Sequence, residues 1–386
     1  MHNRWVTGGV SAEVCNLRAW NPENAGKVEE VSRPIRWPQI ASIKSLQHQC
    51  DYVPQVASVD GKDPRMIVRP MCTSLAHHPV VITPDSDASL GGLMRYLKDA
   101  CETLASMLSG HGALLFRGFD VRDAADFQDC VEALGCEPFS YAGGDSPRSR
   151  VDGDVYSSTD YPASEEISLH NEMSYLPNWP RRIFFYCGKA ADSGGQTSLA
   201  NNSDISVSIP TDIAEKFRSK RIKYVRNFIS VYGVSIGKSW QKTYLTDDRE
   251  QVQAILSQQG SVGYWNADGS LRVETHRDAF CRHPSSGADV WFNQAEQWHP
   301  SALDRLVRRD LEEMVGKGRL PHECEFGNGE PLDEDELAVI RNAQNRNKLL
   351  FDWEKGDFLL IDNISMMHGR EPFKGDRRIL AYLSAN

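Results

Sequence analysis

The chain has 386 residues, 40% of them hydrophobic and 25% charged, with a formal net charge of −10. That mixture can bury a sizeable core and excludes wholesale disorder, and the acidic balance argues against nucleic acid or an anionic membrane as the main partner. No run approaches the roughly 18 apolar residues of a membrane-crossing helix, and the opening MHNRWVTGGVSAEV lacks the basic flank and apolar run of a secretory leader. The nine cysteines are odd in number and scattered, with no C-x-x-C pair. Neither a disulfide framework nor a zinc ribbon is expected, and a reducing cytoplasm is the natural location.

In chain order, residues 1–80 show no long helical period and carry Pro34, Pro38, Pro54, Pro64 and Pro70. They read as an irregular extension packed on a domain that fills 81–386. Leu93, Leu97, Ala100, Cys101, Leu104 and Leu108 recur at three- and four-residue steps, predicting one amphipathic helix stopped by Gly110 and Gly112. The apolar run 113–117 predicts a buried strand, Gly118 a turn, and Phe127, Val131 and Leu134 a second helix ending at Gly135. Further strands are expected at 183–187, 290–293, 349–353, 358–362 and 379–383, and helices at 210–219, 249–258, 301–315 and 335–346. Residues 140–168 and 224–300 read as long loops with embedded pieces, which in compact domains tend to be functional. No internal repeat, regular βαβ rhythm, Gly-x-Gly-x-x-Gly or Walker-type loop is present, so a nucleotide-binding parallel sheet has no support. The pattern fits a mainly β core with helical decorations and long insertions over one end.

Two histidines stand two residues before a carboxylate, in His170-Asn171-Glu172 and His276-Arg277-Asp278. Residues i and i+2 of a strand project from one face, so such a pair can reach one ion. A histidine from a distant strand would complete a two-His-one-carboxylate face suited to non-haem Fe(II). His276 lies among Arg272, Glu274, Arg277 and Asp278 and reads as a surface residue. His170 instead precedes Pro177, Trp179, Pro180 and an apolar strand. Near the end of the chain, 356–363 reads as a turn feeding a buried strand, followed by His368-Gly369-Arg370 and Arg377-Arg378. A histidine and an arginine on adjacent strands can meet in one pocket, the arginine offering a fork for a carboxylate. Each residue also has a bland reading: hydrogen-bonded core histidines, a loop acid, and an Arg378 paired with Asp357 or Asp376. Arg117, before Gly118, reads as structural.

Together, Leu115-Phe116-Arg117-Gly118-Phe119, His170-Asn171-Glu172, Gly194-Gly195-Gln196-Thr197, Trp291-Phe292-Asn293-Gln294 and the stretch from Gly356-Asp357 through His368-Gly369-Arg370 to Arg377-Arg378 resemble the TauD/TfdA family of Fe(II)- and 2-oxoglutarate-dependent dioxygenases. The His-Asn-Glu version, with Ser-Tyr and Trp-Pro after it, looks nearest to the SyrP-like branch of amino-acid hydroxylases. The resemblance spans roughly 80–386 and implies a double-stranded β-helix, a jelly-roll or cupin-like core with its site at one open end. It further implies Fe(II) ligands at His170, Glu172 and His368, with 2-oxoglutarate and O2 as cosubstrates. Arg378 and Thr197 would grip the distal carboxylate of 2-oxoglutarate. Glu172 is one methylene longer than the Asp of many members, and it occupies the position a halide would need, which implies a hydroxylase.

The expected substrate is a small molecule: an amino acid or amino-acid-derived intermediate, hydroxylated at an sp3 carbon in specialised metabolism. Arg226, Asn227, Asn293, Gln294 and Arg370 are candidate rim residues for it, since buried Arg and Asn groups need polar partners. The run Lys216, Arg218, Lys220, Arg221 and Lys223 reads as a solvated helix end, with docking of an acidic carrier protein as its alternative. Competing readings are the same cofactor chemistry on a sulfonate or carboxylate for catabolism, desaturation or cyclisation as the outcome, a zinc hydrolase on the same three ligands, and a metal-binding β-barrel without turnover.

Overall fold

The computed structural model describes residues 48–49, 65–72, 77–140, 143–145, 148–159, 161–231 and 234–386. Two facing β-sheets form the centre. The larger has eight strands in the order Met66–Pro70, Val80–Pro84, Ala113–Phe116, Phe358–Asp362, Arg182–Lys189, Arg378–Ser384, Val155–Ser157 and Arg150–Asp152. The smaller has five, in the order His48–Gln49, Leu349–Phe351, Thr197–Asn201, Met366–Arg370 and Ile167–His170. Strands from both ends of the chain interleave in each sheet. This is the double-stranded β-helix expected from the resemblance.

The central strands of the larger sheet are apolar throughout because both of their faces are covered. Ile183, Phe185, Leu359, Ile361, Ile379 and Ala381 point inward, where they meet Leu199, Phe351 and Met366 of the smaller sheet. Their alternates Phe184, Tyr186, Phe358, Leu360, Leu380 and Tyr382 point outward and pack under helices. Those helices are Leu90–Asp99, Cys101–His111 and Ala124–Ala133, which contribute Leu93, Leu97, Leu104, Leu108, Phe127 and Val131. At ~25 cal/mol per Å2 of apolar surface removed from water, such two-sided burial supplies the main stabilising term.

Three features differ from the sequence expectation. The single helix over 93–108 is two helices, since Ala100 leaves the helical region with φ −99° and ψ 16°. The extension ending at 80 gives way earlier to the sheet, because Met66–Pro70 pairs antiparallel with Val80–Pro84; residues 1–47, 50–64 and 73–76 lie outside the described residues. The stretch 224–300 holds a third sheet, in which Ile222–Val231 pairs with Val234–Ile236, Leu271–Arg277 and His322–Phe326, and Leu271–Arg277 pairs in turn with Ser261–Trp265. Tyr224, Cys324 and Phe326 from this insertion pack with Leu169, Ala200 and Met367 on the outer face of the smaller sheet. The seven described cysteines are free thiols. No helix among the described residues is long and apolar enough to cross a membrane.

Candidate active site

His170 ends the strand Ile167–His170, and His368 is central in Met366–Arg370; the two are directly opposed across the antiparallel ladder. Strand parity turns both toward the interior between the sheets, and their rings lie 4.4 Å apart, centroid to centroid. Gly369 beside His368 is required here. A Cβ at that position would meet the Ile167 carbonyl and Ser198 Oγ, each at 2.5 Å.

Glu172 is not on the strand. It lies in the turn after it, where Met173 takes the left-handed φ of 57°. Its direction is set by buried amides. Asn171 Nδ2 donates to the Asn363 and Met366 carbonyls at 2.6 and 3.3 Å. The Glu172 amide donates to Asn363 Oδ1 at 2.8 Å, and Asn363 Nδ2 returns to the Glu172 and Pro180 carbonyls at 3.0 and 2.9 Å. Asn202 joins through Asn171 Oδ1 at 3.1 Å. The residue between the two acid–base groups therefore ties their turn to the turn that launches the His368 strand.

Glu172 Oε2 stands 3.9 Å from His170 Nε2 and 3.7 Å from His368 Nε2. One donor atom from each of the three lies within 4.8 Å of the others. The donor chemistry fits a divalent metal of the Fe(II) type. Burial first, and then the neighbouring His368, push the His170 imidazole down to about 4, so it is neutral. Its Nδ1 faces the Ser168 carbonyl at 2.9 Å, which fixes the N–H there and leaves the Nε2 lone pair for a ligand. Burial would raise the Glu172 carboxyl, but Arg148, with help from His368, holds it at about 2. It is a carboxylate.

Arg148 had no signal in the sequence. It comes from a loop 24 residues before Glu172 and pairs Nη2 with Oε2 at 2.6 Å, both side chains almost fully buried. The ion pair is visible only in three dimensions.

A cleft enclosing about 470 Å3, its open mouth included, adjoins His170 and His368; Phe185, Ile167 and Ile379 give it apolar walls and Arg148, Arg370 and Arg377 its charge. Thr197 lines it too, and its Oγ1 accepts from Trp353 Nε1 at 2.9 Å. The arginine facing Thr197's cleft is Arg377. Arg378 is exposed at the strand's outer side, whereas Ile379 points inward, so strand alternation returns Arg377 to the interior. Arg377 Nε donates to the Gly195 carbonyl at 3.0 Å, and burial followed by Arg370 lowers its guanidinium to about 10. Gly195, at φ 76°, leaves the room it needs, since a Cβ there would sit 3.0 Å from Arg377 Cδ. The acids proposed as partners for Arg378 are held elsewhere: Asp357 by Arg117 at 2.6 Å and Asp376 by Lys189 at 3.0 Å. Arg117 is structural, as expected.

Most expected rim residues are away from the cleft, occupied by the fold. Arg226 donates to the Gly143 carbonyl at 2.9 Å and to Asp145 at 3.0 Å. Asn227 donates to the Leu320 carbonyl, Asn293 to the Ala279 carbonyl, and Gln294 bonds Ser174 and Gln297. Trp291 is buried against Phe217 and Phe280. The polarity that suggested a rim satisfies backbone carbonyls and neighbouring side chains of the fold instead. Arg370 does line the cleft, but its Nη atoms donate to the carbonyls of Tyr161, Pro162 and Glu165. His276 is exposed on its strand, as expected. The basic run is neutralised within the chain, Lys216 by Glu336, Arg218 by Asp289, Lys220 by Glu330, Arg221 by Asp278 and Lys223 by Glu325.

The model of the taurine catabolism dioxygenase TauD, TfdA family matches residues 74–383. The chain belongs to that family. It is a non-haem dioxygenase that uses Fe(II), 2-oxoglutarate and O2 and acts on a small molecule. Dapdiamide synthesis protein DdaC of Enterobacter agglomerans is 34% identical over 312 residues, covering 81% of this chain and 92% of that one. A clavaminate synthase-like protein of Arabidopsis thaliana is 30% identical over 325 residues, covering 79% and 93%. The fold is shared with PvcB, an Fe, alpha-ketoglutarate dependent oxygenase from an isonitrile synthetic pathway (TM-score 0.50, 15% identity, 86% and 95% covered). A taurine dioxygenase from Burkholderia xenovorans shares it equally (TM-score 0.50, 15% identity, 83% and 89% covered).

Proposed function

We propose that the dioxygenase hydroxylates an sp3 carbon of an amino acid or amino-acid-derived intermediate, in a biosynthetic setting. The observation that carries this reading is the cleft itself, which joins His170 and His368 to Thr197 and three arginines within apolar walls. His170, Glu172 and His368 hold Fe(II), and Arg377 with Thr197 receives the distal carboxylate of 2-oxoglutarate. Bound Fe(II) with 2-oxoglutarate supplies the O2 activation that oxidises an unactivated C–H bond. The chain's own work is orientation and exclusion. Phe185, Ile167 and Ile379 keep water from the reacting face, and the asparagine network holds the ligand turn in place.

The biosynthetic setting is supported by the relative named for dapdiamide synthesis and by the SyrP-like motif context. The paired charges of Lys216–Lys223 give the carrier reading little to work with, so the free acid is the favoured form. The test is succinate formation from 2-oxoglutarate with Fe(II) and O2, screened over free amino acids, their carrier-bound thioesters, and sulfonates. A product heavier by one oxygen from an amino acid supports the reading, and one lighter by two hydrogens indicates desaturation or ring closure. Efficient turnover of a sulfonate with no amino-acid substrate would move the enzyme to catabolism.

A further inference from the structure

We propose that Trp353 is a positioning residue for the cosubstrate: it sets Thr197 as a hydrogen donor, and so makes that end of the cleft select a carboxylate over an uncharged amide. The proposal rests on the reading above in which Arg377 and Thr197 receive the distal carboxylate of 2-oxoglutarate. It starts from the direction of one hydrogen bond. Trp353 Nε1 lies 2.9 Å from Thr197 Oγ1. An indole nitrogen can only donate, so Oγ1 is the acceptor, and a threonine oxygen has two lone pairs and one hydrogen. With one lone pair taken, that hydrogen cannot point toward Trp353. Oγ1 makes no other hydrogen bond among the described residues. Thr197 lines the cleft, so an anion bound there gives the hydrogen its acceptor.

Both partners are held in place. Thr197 stands opposite Phe351 in the antiparallel pairing with Leu349–Phe351, and Trp353 follows two residues after that strand ends. Its ring packs edge-on against Phe351, 4.8 Å between centroids, in the inward-facing core. Gln196 Nε2 donates to Asp352 Oδ1 at 2.9 Å, so the residues preceding each partner are bonded as well. Arg117 ties down the chain on either side of Trp353. Its Nη2 donates to the Asp352 carbonyl at 2.7 Å, and its Nη1 meets Glu354 Oε1 at 2.9 Å. The indole therefore donates from a fixed position.

The same short segment serves the second donor. Arg377 Nε donates to the Gly195 carbonyl at 3.0 Å, two residues before Thr197. Arg377 lines the cleft with Thr197, and no Asp or Glu is among the described lining residues. A guanidinium has no acceptor atom, and Trp353 occupies a lone pair of Thr197 that would otherwise be open. That end of the cleft thus offers donors. A carboxylate meets them with acceptors alone, whereas a carboxamide brings two N–H groups that find donors opposite them. Donation by the indole also polarises the hydroxyl and strengthens its own bond to an anion.

The test is binding, with no turnover. N-oxalylglycine and its uncharged-end counterpart N-oxalylglycinamide are titrated calorimetrically into Mn(II)-loaded wild type, W353F, T197V and T197V/W353F. Arg377 is common to all four and cancels when the preferences are compared. Wild type should favour N-oxalylglycine, and W353F should lower that preference by about fivefold, the worth of one hydrogen bond. Adding W353F to T197V should leave the preference as it is in T197V. A tryptophan that only fills space would weaken both ligands alike. An unchanged preference in W353F, or the same fall when W353F is added to T197V, therefore overturns the proposal. Benzothienylalanine at position 353 keeps the shape of the indole without its N–H. It must lower the preference as well, and it decides the matter if W353F fails to fold. If T197V binds N-oxalylglycine as wild type does, the cosubstrate reading falls and the proposal with it. If T197V weakens binding while removal of the indole N–H leaves the preference unchanged, only the role of Trp353 is lost.

Discussion

Asn171 and Asn363, 192 residues apart, close a reciprocal bond between the turn that carries Glu172 and the turn that leads into His368. Both side chains are fully buried, so every unmet donor or acceptor there costs about 1–3 kcal/mol. Asn171→Ala removes the donor to Asn363 and Met366 and the acceptor for Asn202. We expect a loss of about 2–4 kcal/mol in urea unfolding and a fall of roughly 10–100-fold in Mn(II) affinity. Stability lost with metal affinity unchanged would make the pair a fold device with no share in placing Glu172.

The three converging donors give a separate expectation. Removing His368 should cost more metal affinity than the ~10–100-fold typical of a supporting residue. Arg148 still satisfies Glu172 in that variant, so the fold should survive. Mn(II) binding by equilibrium dialysis and far-ultraviolet circular dichroism on His368→Ala measure the two halves. Tight Mn(II) binding by a folded His368→Ala would remove His368 from the ligand set.

Arg377 and Arg378 separate cleanly because alternate strand residues face opposite sides. Arg377→Ala should raise the KM for 2-oxoglutarate by about 30-fold or more, the lower end of what a desolvated charge pair carries. Arg378→Ala, on the exposed side, should change it by less than about twofold. Steady-state succinate formation at varied 2-oxoglutarate reads both. A larger effect at Arg378 would restore the assignment that the sequence resemblance implies.

That pair also shows where sequence reading stopped. The dipeptide Arg377-Arg378 placed an arginine near His368 correctly, but which of the two faces inward depends on the strand's phase. The register irregularity between Arg378 and Ile379 lies at that point. The two histidines and Glu172 were legible because their spacing brings them to one point even though Glu172 has left the strand. Arg148 was not, since a lone arginine in a loop has no periodicity. The third sheet was half-legible: Leu271, Val273 and Thr275 alternate inward against Arg272, Glu274 and His276. The charged partners made the segment look like loop. Asn293 and Arg226 were picked out as buried polar groups, and so they are, but backbone carbonyls and Asp145 had already met their need. Polarity in a sequence says that a partner exists, not whether the partner is the protein or its ligand.

The last expectation concerns pH. Glu296 is buried beside the insertion, and burial lifts its carboxyl from the ordinary 4.5 to about 7, even though Arg341 Nε donates to Oε2 at 3.1 Å. Between those two values the folded protein keeps a proton that the unfolded chain gives up. The contribution is therefore complete below about pH 4.5 and is lost as pH rises through 7, amounting to roughly 3 kcal/mol. Glu296→Gln keeps an oxygen for Arg341 but does not titrate. His299 nearby runs the other way: burial lowers it to about 4, so its contribution is lost as pH falls from 6.5 toward 4. It is present in both proteins and cancels from their difference. Urea unfolding of wild type and Glu296→Gln from about pH 5 to about pH 8 should show wild type losing roughly 3 kcal/mol relative to the variant, most of it before pH 7. A difference that stays constant across that range would make Glu296 an ordinary carboxylate, ionised throughout by its bond to Arg341.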